Sequence, residues 1–197
     1  MPFSPPRPPK KRLGQHFLQD NNIAQKIVKT LTARHCKAIV EVGPGTGALT
    51  KWLLQYTSLP LYLIEIDPTL VQHLKQAYPS LAPQVITADF LHLSLPNLHQ
   101  PPLALIGNFP YNISSSIFFR ILHQRNHIQE VVCMIQKEVA QRISAPPCTK
   151  AYGLLSVLLQ TFYTVSYSFT VSPSVFFPPP KVSSAVIHLM HNPTLTL

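Results

Sequence analysis

From residue 22 to residue 143, short apolar runs alternate with segments of helical spacing, and few folds accommodate that order. Runs at 38–42, 61–66, 85–88, 103–106 and 131–135 are the length of buried strands. Residues 22–31 carry Ile23, Ile27, Val28 and Leu31 at three- and four-residue spacing, and 48–56, 68–78, 115–122 and 137–143 read as helices, with Pro68 at a first helical position. Strand, helix and strand in repeated succession predict an α/β domain with a doubly wound parallel sheet. A further helix is predicted over 152–162. Strands over 167–171 and 182–190, joined by a proline-rich loop at 173–180, should then pair antiparallel, because close strands with a short link do so. The chain contains no internal repeat.

In open sheets of this kind ligands bind beyond the carboxyl ends of the strands, where the strand order reverses. The first such end carries Gly43-Pro44-Gly45-Thr46-Gly47-Ala48, whose glycines allow a tight turn and close backbone approach to a ligand. The loop fits the loose dinucleotide pattern and does not by itself separate a nicotinamide from S-adenosylmethionine. Only seven acids are present, and three fall at expected strand ends: Glu65, Asp67 and Asp89. Carboxylates there can accept ribose hydroxyls and an amino group, and Glu65 stands about 18 residues past Gly47, where a ribose-binding acid belongs. Asp67 reads better as a helix start before Pro68. Asp20, Glu41, Glu130 and Glu138 read as helix-start or surface groups, although Glu41 inside the first strand has no explanation on that view.

After the run 103–106 come Gly107-Asn108-Phe109-Pro110-Tyr111-Asn112-Ile113-Ser114, which put an amide, a fixed turn and an aromatic ring at one strand end. These suit a flat, amino-bearing base. An adenine amino nitrogen is a poor nucleophile because its lone pair is delocalised into the ring, and two acceptors can draw its hydrogens out of plane and localise that pair. Asn108 offers its side-chain oxygen, a carbonyl at Phe109 or Pro110 the second acceptor, and Tyr111 a stacking face. The plain alternative is an ordinary strand-to-helix turn with Ser114 as N-cap.

Charge narrows the partner. Sixteen Lys and Arg against seven acids give a net +9, which favours a polyanion, and no apolar run reaches the ~18 residues of a membrane span. Residues 1–12 hold five prolines and four cations, Arg7, Lys10, Lys11 and Arg12, and read as a flexible basic arm able to meet phosphates. Cys36, Cys133 and Cys148 show no metal spacing and read as reduced structural thiols; no metal site is expected. With no apolar segment after the charged N-terminus, a cytoplasmic location is expected.

Several motifs occur together in one order: Lys11-Arg12-Leu13-Gly14-Gln15-His16-Phe17-Leu18, the glycine loop, Glu65-Ile66-Asp67, Ala88-Asp89-Phe90, the Asn108 segment, Gln136-Lys137-Glu138-Val139-Ala140, Lys150-Ala151-Tyr152-Gly153 and Phe176 through Val186. In this combination the chain, from about Lys10 to about Leu189, closely resembles the ribosomal RNA adenine dimethyltransferase family and its bacterial small-subunit branch. The resemblance implies a Rossmann-like S-adenosylmethionine-dependent methyltransferase fold over 13–197, mostly parallel with a C-terminal antiparallel strand. It implies S-adenosylmethionine as donor, S-adenosylhomocysteine as product, and N6,N6-dimethylation of two adjacent adenines in a hairpin loop near the 3′ end of small-subunit rRNA, in ribosome biogenesis. It implies donor contacts at His16, Leu18, Gly43, Gly45, Glu65, Asp89 and Asn108, a catalytic turn of Asn108, Phe109, Pro110 and Tyr111, and Phe176 covering the adenine face opposite Tyr111. A monomer acting on the small ribosomal subunit, with neither DNA nor membrane as partner, goes with this reading.

The chain departs from the family pattern at His16, where Asn is frequent, at Phe109, where Leu is frequent, and at Pro147-Cys148-Thr149, where a Gly-Ser-like run is usual. It also ends at Leu197, where family proteins continue into a helical domain, and so reads as a catalytic domain alone. The alternatives carried are a large-subunit rRNA adenine methyltransferase, a DNA adenine methyltransferase, and a ribosome assembly factor acting mainly by RNA binding.

Overall fold

The computed structural model describes residues 8–10 and 13–192. The expected basic arm falls largely outside the described residues, as do 193–197. In chain order, a short strand β1 (Phe17–Leu18) and helix α1 (Asn21–Thr30) lead into β2 (Ala38–Val42), α2 (Thr50–Tyr56), β3 (Leu61–Glu65), α3 (Pro68–Ala77) and β4 (Val85–Thr87). Then follow β5 (Leu103–Asn108), α4 (Ser114–His123), β6 (Ile128–Gln136), α5 (Lys137–Ile143), α6 (Leu154–Phe162), β7 (Tyr163–Val171), β8 (Phe176–Phe177) and β9 (Ser184–His191). Seven strands form one sheet in the order β4-β3-β2-β5-β6-β9-β7. All neighbours are parallel except at β9, which inserts antiparallel between β6 and β7. No helix among the described residues is long and apolar enough to cross a membrane.

Alternation along the strands separates two apolar layers. Ala38, Val40, Leu103 and Leu105 face Ile117, Phe118, Ile121 and Leu159 of α4 and α6. Ile39, Ala104 and Ile106 face Ala24, Ile27, Val28, Leu53 and Leu74 of α1, α2 and α3. Each strand is therefore covered on both sides, which explains why β2 and β5 read as continuous apolar runs.

Element ends differ from the sequence expectation for local reasons. Helix α2 begins at Thr50 rather than residue 48, because Gly45 and Gly47 hold left-handed φ values of +59° and +86° and delay the first helical turn. Strand β5 continues two residues past 106, carrying Asn108 into register with Met134. Ser114 is not the cap of α4: it is the first helical residue, and its hydroxyl donates back to the Tyr111 carbonyl at 3.2 Å.

Glu130 is corrected more substantially. It is neither a surface nor a helix-start group but lies fully buried in β6. Its oxygens accept from the Thr32 N–H (2.8 Å), the Thr32 hydroxyl (3.0 Å), the Ala33 N–H (2.6 Å) and His188 Nε2 (2.8 Å). Burial pushes its pKa up, but the bonds from His188 and Thr32 outweigh burial and hold it below the usual carboxylate range. Cys36 and Cys133 are buried free thiols, as a structural role requires, whereas Cys148 is exposed.

Candidate active site

Strand β2 has β3 on one side and β5 on the other, so the crossovers leave it in opposite directions and the carboxyl ends of β2 and β5 part. A cavity of about 240 Å³ opens there. Gly43 (φ +68°) and Gly45 form its floor in the left-handed region, where a side chain is strained. A Cβ on Gly45 would also lie 3.2 Å from the Phe17 ring, so a side chain there would press on the β1 segment that lies across the loop.

The acids at the strand ends take different parts. Glu65, at the end of β3, is buried; Oε2 accepts from the Gly45 N–H at 3.1 Å and Oε1 from the Asp67 N–H at 3.0 Å, which fixes the carboxylate plane at the cavity wall. Asp89 is more open and accepts from the Leu91 N–H at 2.9 Å. Asp67 caps α3 through the Thr69 N–H at 3.1 Å, as its Asp-Pro sequence indicates. It also receives Lys10 Nζ and Gln15 Nε2, both at 3.3 Å, and so ties down the segment leading into β1.

Glu41 was missed as a site residue. It is 1% exposed, lines the cavity from the penultimate position of β2, and accepts from the Thr50 hydroxyl at 2.6 Å. Burial, opposed by the Thr50 bond and reinforced by nearby Glu65, pushes its pKa up to about 8. The sequence signal was the charge itself inside a five-residue apolar strand.

The Asn108 turn is held at both ends. The Phe109 N–H donates to the Met134 carbonyl of β6 at 3.0 Å, and the Phe109 ring is fully buried, edge-on to Phe118. Phe109 therefore offers the cavity backbone only. Asn108 Nδ2 donates to the His16 carbonyl at 2.9 Å, which sets the amide so that Oδ1 is the acceptor left over. Pro110 already accepts from the Ile113 N–H at 3.2 Å. The Tyr111 hydroxyl bonds to Ser184 Oγ at the start of β9, and burial, partly opposed by that bond, raises its pKa, so the ring stays neutral. His16 lies against Tyr111 with ring centres 5.6 Å apart and planes 27° apart, while its Nδ1 donates to the Pro178 carbonyl at 2.7 Å. No sequence signal could have paired Tyr111 with Ser184, because the two are far apart along the chain and meet only through the β6 and β9 pairing.

His16, Leu18, Gly43, Gly45, Glu65, Asp89, Asn108, Phe109, Pro110 and Tyr111 all line this one cavity. Phe176 does not. β8 pairs antiparallel with β1, matching Phe176 to Leu18 and Phe177 to Phe17. That pairing turns Phe176 into the apolar layer at 3% exposure and leaves Phe177 outside at 41%. The expected aromatic cover at Phe176 is thus a core side chain, and its structural part is to seat β1 over the glycine loop.

Comparison with known proteins agrees with this fold. The family profile described as ribosomal RNA adenine dimethylase matches residues 8–196. The ribosomal RNA small subunit methyltransferase A of Cytophaga hutchinsonii is 50% identical over 184 residues, covering 93% of this chain and 71% of that protein. Among solved structures, a dimethyladenosine transferase from Plasmodium falciparum superposes with a TM-score of 0.76 at 28% identity, over 90% of this chain and 64% of that one. The 23S rRNA methyltransferase ErmE gives 0.75 at 29% identity, over 92% and 72%. With a profile spanning nearly the whole sequence and a half-identical relative, the chain belongs to the ribosomal RNA adenine dimethylase family.

Proposed function

We propose that this chain is an S-adenosylmethionine-dependent rRNA adenine-N6 dimethyltransferase, acting on two adjacent adenines of a hairpin loop near the 3′ end of small-subunit rRNA. The observation that carries the reading is the orientation of Asn108: its amide nitrogen donates to the His16 carbonyl, which orients the group and presents its oxygen as an acceptor at the strand end. The Phe109 carbonyl is the better second acceptor, since that of Pro110 is already engaged. Two acceptors on one amino group localise the N6 lone pair, and positioning of this sort accounts for much of the rate in a transfer whose electrophile is already reactive. Tyr111, braced by Ser184 and His16, offers a fixed neutral ring for the base to stack on.

The cavity fits the donor. Glu65 and Asp89 are suited to ribose hydroxyls and an adenine amino group, Leu18 and Phe90 to the faces of an adenine ring, and the bare backbone at Gly43 and Gly45 to the aminoacyl end. When bound, S-adenosylmethionine supplies a methyl group activated by a sulfonium sulfur. An adenine in a loop is cheaper to unstack than a paired one, which favours a hairpin target. With this function go a cytoplasmic location, a monomeric state, and rRNA rather than DNA or membrane as partner.

The test is incubation of the protein with labelled S-adenosylmethionine and unmethylated small subunits, followed by nucleoside separation. Wild type should yield dimethyladenosine at the two loop adenines. Asn108→Ala should yield none while its donor affinity is less affected than its turnover; dimethylation retained in that variant would refute the acceptor role.

A further inference from the structure

The amino ends of the parallel strands, at the far side of the sheet from the cavity, carry a concentration of positive charge that methyl transfer does not use. The loop entering β2 exposes Arg34, His35 and Lys37, and the turn entering β6 carries half-exposed Arg125, whose guanidinium lies 4.4 Å over the Phe162 ring and donates to the Leu122 carbonyl at 3.3 Å, which fixes its place on the rim. Helices α1 and α2 end at the same side, bringing exposed Lys29 to 5.8 Å from the ring of Tyr56, itself 46% exposed. Strands β2 and β6 both flank β5, so their entry loops stand about 10 Å apart, a spacing that backbone phosphates can bridge. No exposed acid stands on this rim among the described residues. Glu41, Glu65, Asp67, Asp89 and Glu138 lie within or after the strands, Asp20 starts α1 at the cavity side, and Glu130, at the rim itself, is wholly buried.

Glu130 shapes the rim. By accepting from the N–H groups of Thr32 and Ala33 it pins the chain one residue before Arg34. Ala33 and His35 then take left-handed φ values of +48° and +65° without being glycine, a conformation that persists only where surrounding contacts impose it. Arg34 is thus displayed from a fixed turn.

We propose that this amino-end rim is a second RNA contact surface, which grips backbone phosphates through Arg34, Lys37, Lys29 and Arg125 and offers Tyr56 as a stacking face. It rests on the rRNA substrate class argued above. The rim and the cavity lie at opposite ends of β6, roughly 25–30 Å apart, so one RNA meets both only if it is large or folded around the protein. The rim therefore serves recognition of the ribosomal particle and leaves a minimal stem-loop unaffected.

The experiment compares wild type with the double variant Arg34→Glu/Lys37→Glu, both positions being exposed. Binding to protein-free small-subunit rRNA, to intact small subunits and to a minimal stem-loop is measured between about 50 and 200 mM salt. The variant should lose roughly tenfold or more in affinity for rRNA and for particles, and its log-log salt slope should be shallower by about 1–2. Thermal midpoint, donor affinity and stem-loop binding should stay at wild-type values. If charge reversal disturbs folding, Arg34→Gln/Lys37→Gln should give a smaller loss in the same direction. Equal salt slopes for wild type and variant overturn the proposal, as does an equal loss on the stem-loop, which would put these residues on the path to the cavity. Loss on particles alone, with protein-free rRNA bound normally, overturns it in favour of a ribosomal protein partner. Absence of methyl transfer by wild type would instead fail the enzymatic reading, and the binding slopes would still decide the rim.

Discussion

Replacing Glu41 with glutamine isolates the cost of an ionisable group at the centre of a sheet. The side chain is 1% exposed, accepts one 2.6 Å bond from Thr50, and has Glu65 close enough to repel its charge. Its pKa rises from an ordinary 4.5 to about 8, so ionising it in the folded chain costs roughly 5 kcal/mol more than in the unfolded chain, at about 1.4 kcal/mol per pH unit. A folded pKa above the unfolded one means that the folded state holds the proton more tightly. The stability tied to that proton is complete below about pH 4.5 and is lost progressively as pH rises to about 8. Glutamine keeps the shape and cannot ionise. Denaturant unfolding of wild type and Glu41→Gln across this range should show the difference between them moving steadily in favour of glutamine, by about 5 kcal/mol in all. If the two curves stay parallel from pH 5 to pH 9, Glu41 does not ionise at this cost and the burial argument is wrong.

Two further substitutions probe the frame around the site. Gly107→Ala would place a methyl 2.4 Å from the Val42 carbonyl oxygen and 3.0 Å from the Phe109 ring, so β2 and β5 must part; a loss of about 1–3 kcal/mol and a lower thermal midpoint are expected. Glu130→Ala strips the acceptor from Thr32, Ala33 and His188 and should cost about 3–5 kcal/mol by denaturant titration. Because the pKa of Glu130 is held below the ordinary carboxylate value, its contribution is present above about pH 4.5 and lost on acidification. The variant's stability should accordingly fall less steeply with acid than that of wild type, and identical acid limbs would count against the network.

What could be read in advance follows from the range of the forces. Strand and helix order, the parallel sheet with its late antiparallel strand, the glycine loop and Asp67 as a helix cap all come from neighbours within a few residues: apolar period, a proline at a first turn, a side chain bonded to the next amides. Asn108 was legible for the same reason, as its turn is contiguous. Glu130 and Glu41 were misread because an isolated acid in a sequence looks solvated, and only the partners brought by other elements, Thr32 and His188 in one case and Thr50 in the other, show how it is buried.

Phe176 marks the same boundary from the other side. A strand alternates its faces, so adjacent Phe176 and Phe177 point opposite ways once they form one, but the sequence reads as a loop over 173–180 and only the structure shows β8 there. Which of the two turns inward depends on the register of β8 against β1, far earlier in the chain, and that register put Phe176 beneath Leu18. The sequence by itself determined the order of the main helices and strands and the chemistry available at each strand end, but not the short pair β1 and β8. The tertiary structure decided which way the Asn108 amide faces, what braces Tyr111, which ring is core, and that the cations before β2 and β6 share one rim, because each of these depends on contacts between residues that chain connectivity leaves far apart.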